Sequence, residues 1–317
     1  LPPATGLTAT LAFHMKFNYC REFGFLPHPI SAEFDGCRIT PLATHSETLT
    51  ELEKFSNIDG YLYPPTICKY ELDLATLEPR RKIDRTERPA SVFHLPSSHT
   101  IEINKSDTNA NDEALLINLL AFAYGTRLQF KEWRIDGRVP LKSTSPYNIA
   151  DSTAIHFVGH AYEWWRRQNS DIQINLINVL YVLARARTLE WDWDAFIHQY
   201  LIFDSIYKLH TKLHPKSQHA KNHKDRFKFL TDNYGIATNQ EIVNKIYEAR
   251  NDLFHEAMWV GSTIGFGSQN NDARQYPYHL NRLNSKLLCH ILCYGNEYSR
   301  LGWWFMGASV FDKCREV

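Results

Sequence analysis

The amino-acid sequence predicts an α+β protein. It divides into a β-rich first part over residues 1–147, with one helix, and an α-helical bundle over 148–317. Three observations carry that assignment. Apolar and polar residues alternate through much of the first third, the period of half-buried strands. A single apolar run at 107–125 has the start and stop signals of a helix. After Pro140 the texture changes to helix-length periodic segments broken by short polar or Pro-containing pieces, which places a boundary at about 140–150.

Taken in order, "TATLAFHMKF" puts Ala9, Leu11, Phe13, Met15 and Phe17 on one face of a strand. In "EFDGCRI", Asp35-Gly36 stands between short runs as a hairpin turn requires, and "SVFHL" and "HTIEI" flank Pro96-Ser97-Ser98 as further strands. Residues 1 to about 105 therefore read as mostly β. "DTNANDEALLINLLAFAYG" opens on polar capping residues and acids and stops at Gly125, and "LQFKEWRIDGRVPL" reads as strand, turn, strand. Helices are expected at about 153–168, 172–189, 193–213, 218–234, 239–257 and 280–305. Thr238, with Glu241 three residues later, forms a capping-box pattern at the start of the fifth of these. The Trp pairs at 164–165 and 303–304 read as packing residues.

Hydrophobic residues at 44% and charged residues at 22% fit a globular chain and exclude large-scale disorder. With 35 basic and 35 acidic residues the formal charge is zero, so any attraction to nucleic acid must come from local patches. Six scattered cysteines lack the spacing of a disulfide scaffold, and reduced thiols in a cytoplasm are expected. Cys289 and Cys293, one turn apart, read as buried small hydrophobes rather than a metal pair. The apolar run from Leu115 is too short to span a bilayer, and no signal peptide opens the sequence, so a cytoplasmic protein without membrane association is expected. Residue 1 is Leu, which leaves the true start open.

The chemistry concentrates in "EARNDLFHEA", residues 248–257. On a helical projection Val243, Ile246, Tyr247, Leu253 and Phe254 form an apolar stripe that contains Arg250. Asn244, Glu248, Asn251, Asp252 and His255 lie opposite. Arg250 points about 140° away from His255 on an ideal helix, so only its length or a bent helix end brings the two together. A guanidinium on an apolar face needs a partner. One reading makes Arg250 structural, paired to an acid such as Asp204, with His255 facing solvent. The other makes both residues part of a site. Glu256, beside His255, reads as a solvated charge.

Arg250 and His255 stand in the spacing R-x-x-x-x-H, with the polar Asn251 directly after the Arg. Together with "YLIFDSIYKLH", "HAKNHKDRFKFLTDNYGI" and "EIVNKIYEARNDLFHEAMWVGSTIGF", this resembles the HEPN superfamily, in particular the bacterial Apea-like type, over about 193–305. The resemblance implies a helical bundle that dimerises and brings two copies of the motif to one cleft. It also implies a metal-independent endoribonuclease of phage-defence or toxin-like kind, with no cofactor. In such an enzyme the ribose 2′-hydroxyl attacks the adjacent phosphate and leaves a 2′,3′-cyclic phosphate. His255 would transfer the proton, Arg250 would stabilise charge on the phosphate, and Asn251 would orient either one. The β-rich part would sense a ligand or recruit an activator. A noncatalytic HEPN scaffold binding RNA or protein is the alternative. In toxins inactivated by a partner nucleotidyltransferase a Tyr stands two residues after the His; here that residue is Ala257, which argues against that regulation.

For RNA, the run 208–228 gathers Lys208, Lys212, Lys216, Lys221, Lys224, Arg226 and Lys228 against one acid, Asp225, either as a phosphate-binding patch or as a solvated connector. The same run holds His210, His214, His219 and His223, two pairs at one-turn spacing. Pro215 and the neighbouring lysines argue against a metal site and for charged histidines facing solvent. "GSTIGFGS" lacks the residues of a phosphate-binding loop, and the acids of "WDWD" at 191–194 read as helix-start residues.

Overall fold

Along the 99–103 segment burial alternates residue by residue, which is how a half-buried strand satisfies one apolar and one polar face. A computed structural model describes residues 19–34, 36–67, 70–73, 75–76, 79–82, 88–103, 111–216, 219–264, 273–307 and 309–314. The strand expected at 8–17 lies outside them. Five strands form the main sheet: β1 (Tyr19–Gly24), β2 (Ala32–Phe34), β3 (Cys37–Pro41), β4 (His99–Ile103) and β5 (Gln129–Phe130). Their order is β5-β1-β4-β3-β2, every neighbour antiparallel, with Phe23 opposite His99, Ile101 opposite Ile39, and Phe34 opposite Cys37. The last pair closes the hairpin expected around Gly36. Within "LQFKEWRIDGRVPL" the first strand is β5 of this sheet, while its later part and "SVFHL" form separate two-residue pairs. Val92–Phe93 meets Ile135–Asp136, and Val139–Pro140 meets Tyr61–Leu62.

Helix α1 (His45–Phe55) adds a helix that the mostly-β reading of this region did not place. Its acid Glu47 lies in the first turn and its base Lys54 in the last, matching the helix dipole. Leu49 and Leu52, three residues apart, pack on a small cluster of Phe25, Leu62, Leu95 and Val139. Helix α2 (Asp112–Tyr124) stops as expected at Gly125, whose φ of 64° is left-handed. A Cβ there would stand 2.3 Å from the Ser145 backbone nitrogen, so glycine is required twice over.

The second part contains α3 (Asp151–Arg166), α4 (Ser170–Ala186), α5 (Asp192–Leu213), α6 (His223–Tyr234), α7 (Gln240–Glu256), α8 (Tyr276–Ile291) and the short α9 (Glu297–Arg300). The protein is thus α+β, with strands first and a helical bundle after. The main apolar core is continuous across the 147/148 position, from Phe23 and Ile101 through α2 to Phe311. Asn148–Ile149 also pairs in parallel with Val310–Phe311. Trp165 and Trp303 are fully buried. Among the described residues no helix is long and apolar enough to cross a membrane.

At three helix ends a local hydrogen bond sets a boundary or cap that the sequence reading placed differently. Helix α6 begins at 223 rather than 218, where Asn222 accepts from the Asp225 N–H. The cap of α7 is Asn239, accepting from Glu241 and Ile242, whereas the Thr238 hydroxyl donates to Thr231 at 2.7 Å. The helix expected over 280–305 breaks after Ile291. Cys293 turns left-handed at φ 55°, and an Asn296–Ser299 capping box starts α9. Cys293 is therefore exposed, and of that pair Cys289 alone is buried as expected. Asp192 and Asp194 occupy the first turn of α5, at its positive end.

Candidate active site

Helix α7 packs against α5 and α6 through Val243, Ile246, Ala249 and Leu253. Tyr247 is only half-buried and Phe254 is 50% exposed, so the buried face is narrower than the expected stripe and Arg250 stands at its margin. The helix ends at Ala257, left-handed at φ 51°, and continues into a hairpin pairing Met258–Trp259 with Ser262–Thr263. Val260 and Gly261, at φ 49° and 70°, make its turn. Trp259 is buried, its ring 5.1 Å from Phe196 and 6.4 Å from Tyr276. That anchor fixes the end of α7 and with it the direction of the last turn.

Arg250 and His255 meet there. The guanidinium lies 5.2 Å from the centre of the Phe254 ring, and Nη1 donates to both Asn251 Oδ1 and His255 Nε2, each at 3.0 Å. The length of the side chain spans the angle that separates the two positions on the helix. A guanidinium has no acceptor atom, so His255 offers its Nε2 lone pair and the neutral ring carries its proton on Nδ1. Arg250 Nε is buried without a hydrogen bond, and among the described residues no carboxylate pairs with this guanidinium. The three residues singled out for catalysis are thus contiguous at a partly exposed helix end.

Asp204 does not pair with Arg250. Its Oδ1 accepts from Arg226 Nη1 at 2.6 Å, and Oδ2 stands 3.4 Å from His223 Nδ1. Arg226 sits in the first turns of α6 and reaches Asp204 on α5. Tyr200 lies beside Arg250, buried and with a hydroxyl that makes no hydrogen bond. Its ring is 6.0 Å from Arg250 Cζ and 6.4 Å from the His223 ring. Burial pushes the phenol well above its ordinary range, Asp204 adds to the rise, and the two arginines oppose it. Tyr200 went unrecognised in the sequence; its one signal is its position one helical turn before Asp204.

The basic run divides. Lys212 pairs with Asp171 at 3.0 Å, Arg226 with Asp204, and Lys228 with Asp232 at 2.6 Å. Lys208, Lys216 and Lys221 are exposed and Lys224 half-buried, and among the described residues no carboxylate pairs with any of these four. Of the four histidines read as solvent-facing, His214 and His219 are exposed, whereas His210 and His223 depart from that reading. His210 is buried against the Tyr234 hydroxyl at 2.7 Å, and desolvation, with His214 and His219 nearby, holds its pKa down to about 4. His223 is engaged by Asp204 and Arg226. Among the described residues no three His, Cys, Asp or Glu side chains gather to hold a metal ion.

Comparison with known proteins matches no family model, no curated protein and no solved structure.

Proposed function

We propose that this chain is a HEPN-type, metal-independent endoribonuclease that cleaves by transesterification, acting as a defence or toxin-like effector. The observation that carries the reading is the contact of one Arg250 nitrogen with both His255 Nε2 and Asn251 Oδ1 at 3.0 Å, at an accessible helix end where no carboxylate among the described residues meets the guanidinium. A scaffold needs no such convergence, and the acid that could have neutralised Arg250 is taken by Arg226.

In this reading the incoming phosphodiester supplies the anion that Arg250 does not find among the described residues. Its oxygens compete for the guanidinium through charge-assisted hydrogen bonds and release the His255 lone pair. His255 Nε2 then takes the proton of the ribose 2′-hydroxyl. The 2′-oxygen bonds to phosphorus, the bond from phosphorus to the 5′-oxygen breaks, and that oxygen takes a proton from solvent. The products are a 2′,3′-cyclic phosphate and a 5′-hydroxyl. Asn251 keeps Arg250 oriented through the step. The same resemblance supplies the expectation of a homodimer through the helical part and of an activator acting at the β-rich part.

The test is cleavage of a labelled mixed-sequence RNA in EDTA by the parent, Arg250→Ala and His255→Ala, each first shown to be folded by circular dichroism. Cyclic-phosphate ends made by the parent and reduced by about 10²-fold or more in both variants are expected. Equal cleavage by all three assigns the activity to another site. A folded parent that cuts no RNA favours the scaffold.

A further inference from the structure

Residues of α5, of α6 and of the loop between them line a groove of about 280 Å³: Asp204, Tyr207, Lys208, Thr211, His219 and Arg226. Its one acid is already covered, by Arg226 at 2.6 Å and His223 at 3.4 Å. What remains on offer is cationic or hydroxylic. Lys208 and His219 are exposed, and Thr211 stands one turn along α5 from Lys208. Arg226 is held in place from two sides, by Asp204 and by the Tyr207 ring 4.7 Å away, and its Nε is buried with no hydrogen bond. The Tyr207 hydroxyl accepts from the Ala220 N–H at 2.9 Å, which ties the loop carrying His219 to the groove wall. A prearranged cluster of this kind suits a phosphate oxygen.

Position along α5 relates the groove to the proposed centre. Tyr200, Asp204, Lys208 and Thr211 follow one face of the helix, which rises roughly 6 Å per four residues and places Lys208 roughly 12 Å along the axis from Tyr200. Tyr200 in turn lies against Arg250. A single strand covers such a span in one or two nucleotides.

We propose that this groove is a subsite for a second phosphate of single-stranded RNA, one or two nucleotides from the bond cut at Arg250 and His255. The proposal rests on the ribonuclease reading. Contacts to phosphate position a strand without reading its bases, so the subsite sets where the strand lies and how long it must be rather than its sequence.

The test uses oligodeoxynucleotides with one ribonucleotide, which confines cleavage to one bond, and replaces single flanking phosphates by neutral methylphosphonates. In the parent, one flanking replacement is expected to lower kcat/KM by about tenfold or more, the loss of a charge-assisted contact. In Lys208→Ala, whose exposed side chain leaves folding intact, the same replacement is expected to cost less than about threefold. A parent indifferent to every flanking phosphate, or a variant that keeps the full penalty, overturns the proposal. The same contrast is read by fluorescence anisotropy with a 2′-O-methyl strand that cannot be cut. If binding shows the contrast and no strand is cleaved, the subsite stands and the catalytic reading falls. Binding without the contrast removes the subsite whatever the cleavage result.

Discussion

Asp204→Asn removes one of the three charges around Tyr200 and keeps the size of the side chain. In the native arrangement the Asp204 and Arg226 side chains are 28% and 24% exposed and meet at 2.6 Å. Unit charges about 4 Å apart attract by roughly 4 kcal/mol at an effective dielectric of about 20. Desolvation and the entropy of fixing two side chains cancel most of that gain for a partly exposed pair, leaving about 1 kcal/mol. The substitution also leaves the partly buried Arg226 guanidinium without its carboxylate, so the total loss of folding free energy is expected at about 1–2 kcal/mol. Urea unfolding followed by circular dichroism reads this as a lower midpoint at unchanged slope. A double-mutant cycle with Arg226→Gln is expected to show a coupling of about 1 kcal/mol. Parent-like stability in Asp204→Asn, or losses that simply add, would refute the assignment of this pair as the link between α5 and α6. The same variant removes a negative charge from the groove, so its affinity for a non-cleavable RNA strand is expected to rise and to depend more steeply on salt.

Acid should destabilise the fold before carboxylates titrate. Burial holds His99 down to about 3, with His45 adding to the effect, and holds His210 and His279 down to about 4, so the folded state binds fewer protons than the unfolded chain below the ordinary histidine value near 6.5. The stability they contribute is present in full above 6.5 and is lost as pH falls towards 4, on the order of 2 kcal/mol for each ring, and thermal unfolding at pH 7.5 and pH 5 measures it. A His210→Phe variant that shows the same pH slope as the parent would count against this account of that ring. Asn239→Ala is expected to cost about 1 kcal/mol through the lost cap of α7, against a smaller loss for Thr238→Ala, both read from urea midpoints. Gly125→Ala combines a left-handed backbone with a collision against Ser145, and a loss of about 2 kcal/mol or more, or failure to accumulate as folded protein, is expected.

What the sequence alone determined is what depends on neighbours within about one turn or one strand step. The 3.6-residue period located six helices, α2 to α7, within a few residues, and the stop of α2 at Gly125 was legible because only glycine takes that backbone angle cheaply. The spacing of Arg250, Asn251 and His255 was legible for the same reason. Whether Arg250 would reach His255 was not, since the helical projection sets them apart. The hairpin at 258–263 and the buried Trp259 fix the end of the helix, and the length of the guanidinium closes the gap. The break after Ile291 was hidden because Cys293 carries no turn signal, although it adopts a left-handed angle. The partner of Asp204 was beyond reach altogether. Arg226 lies 22 residues further on, and its arrival depends on how α6 docks against α5. Tyr200 acquired its place beside Arg250 in the same way. Local periodicity fixes which face a side chain occupies. Only helix packing, which burial of the shared core drives, decides which faces meet and hence which charges end up paired and which remain open to a ligand.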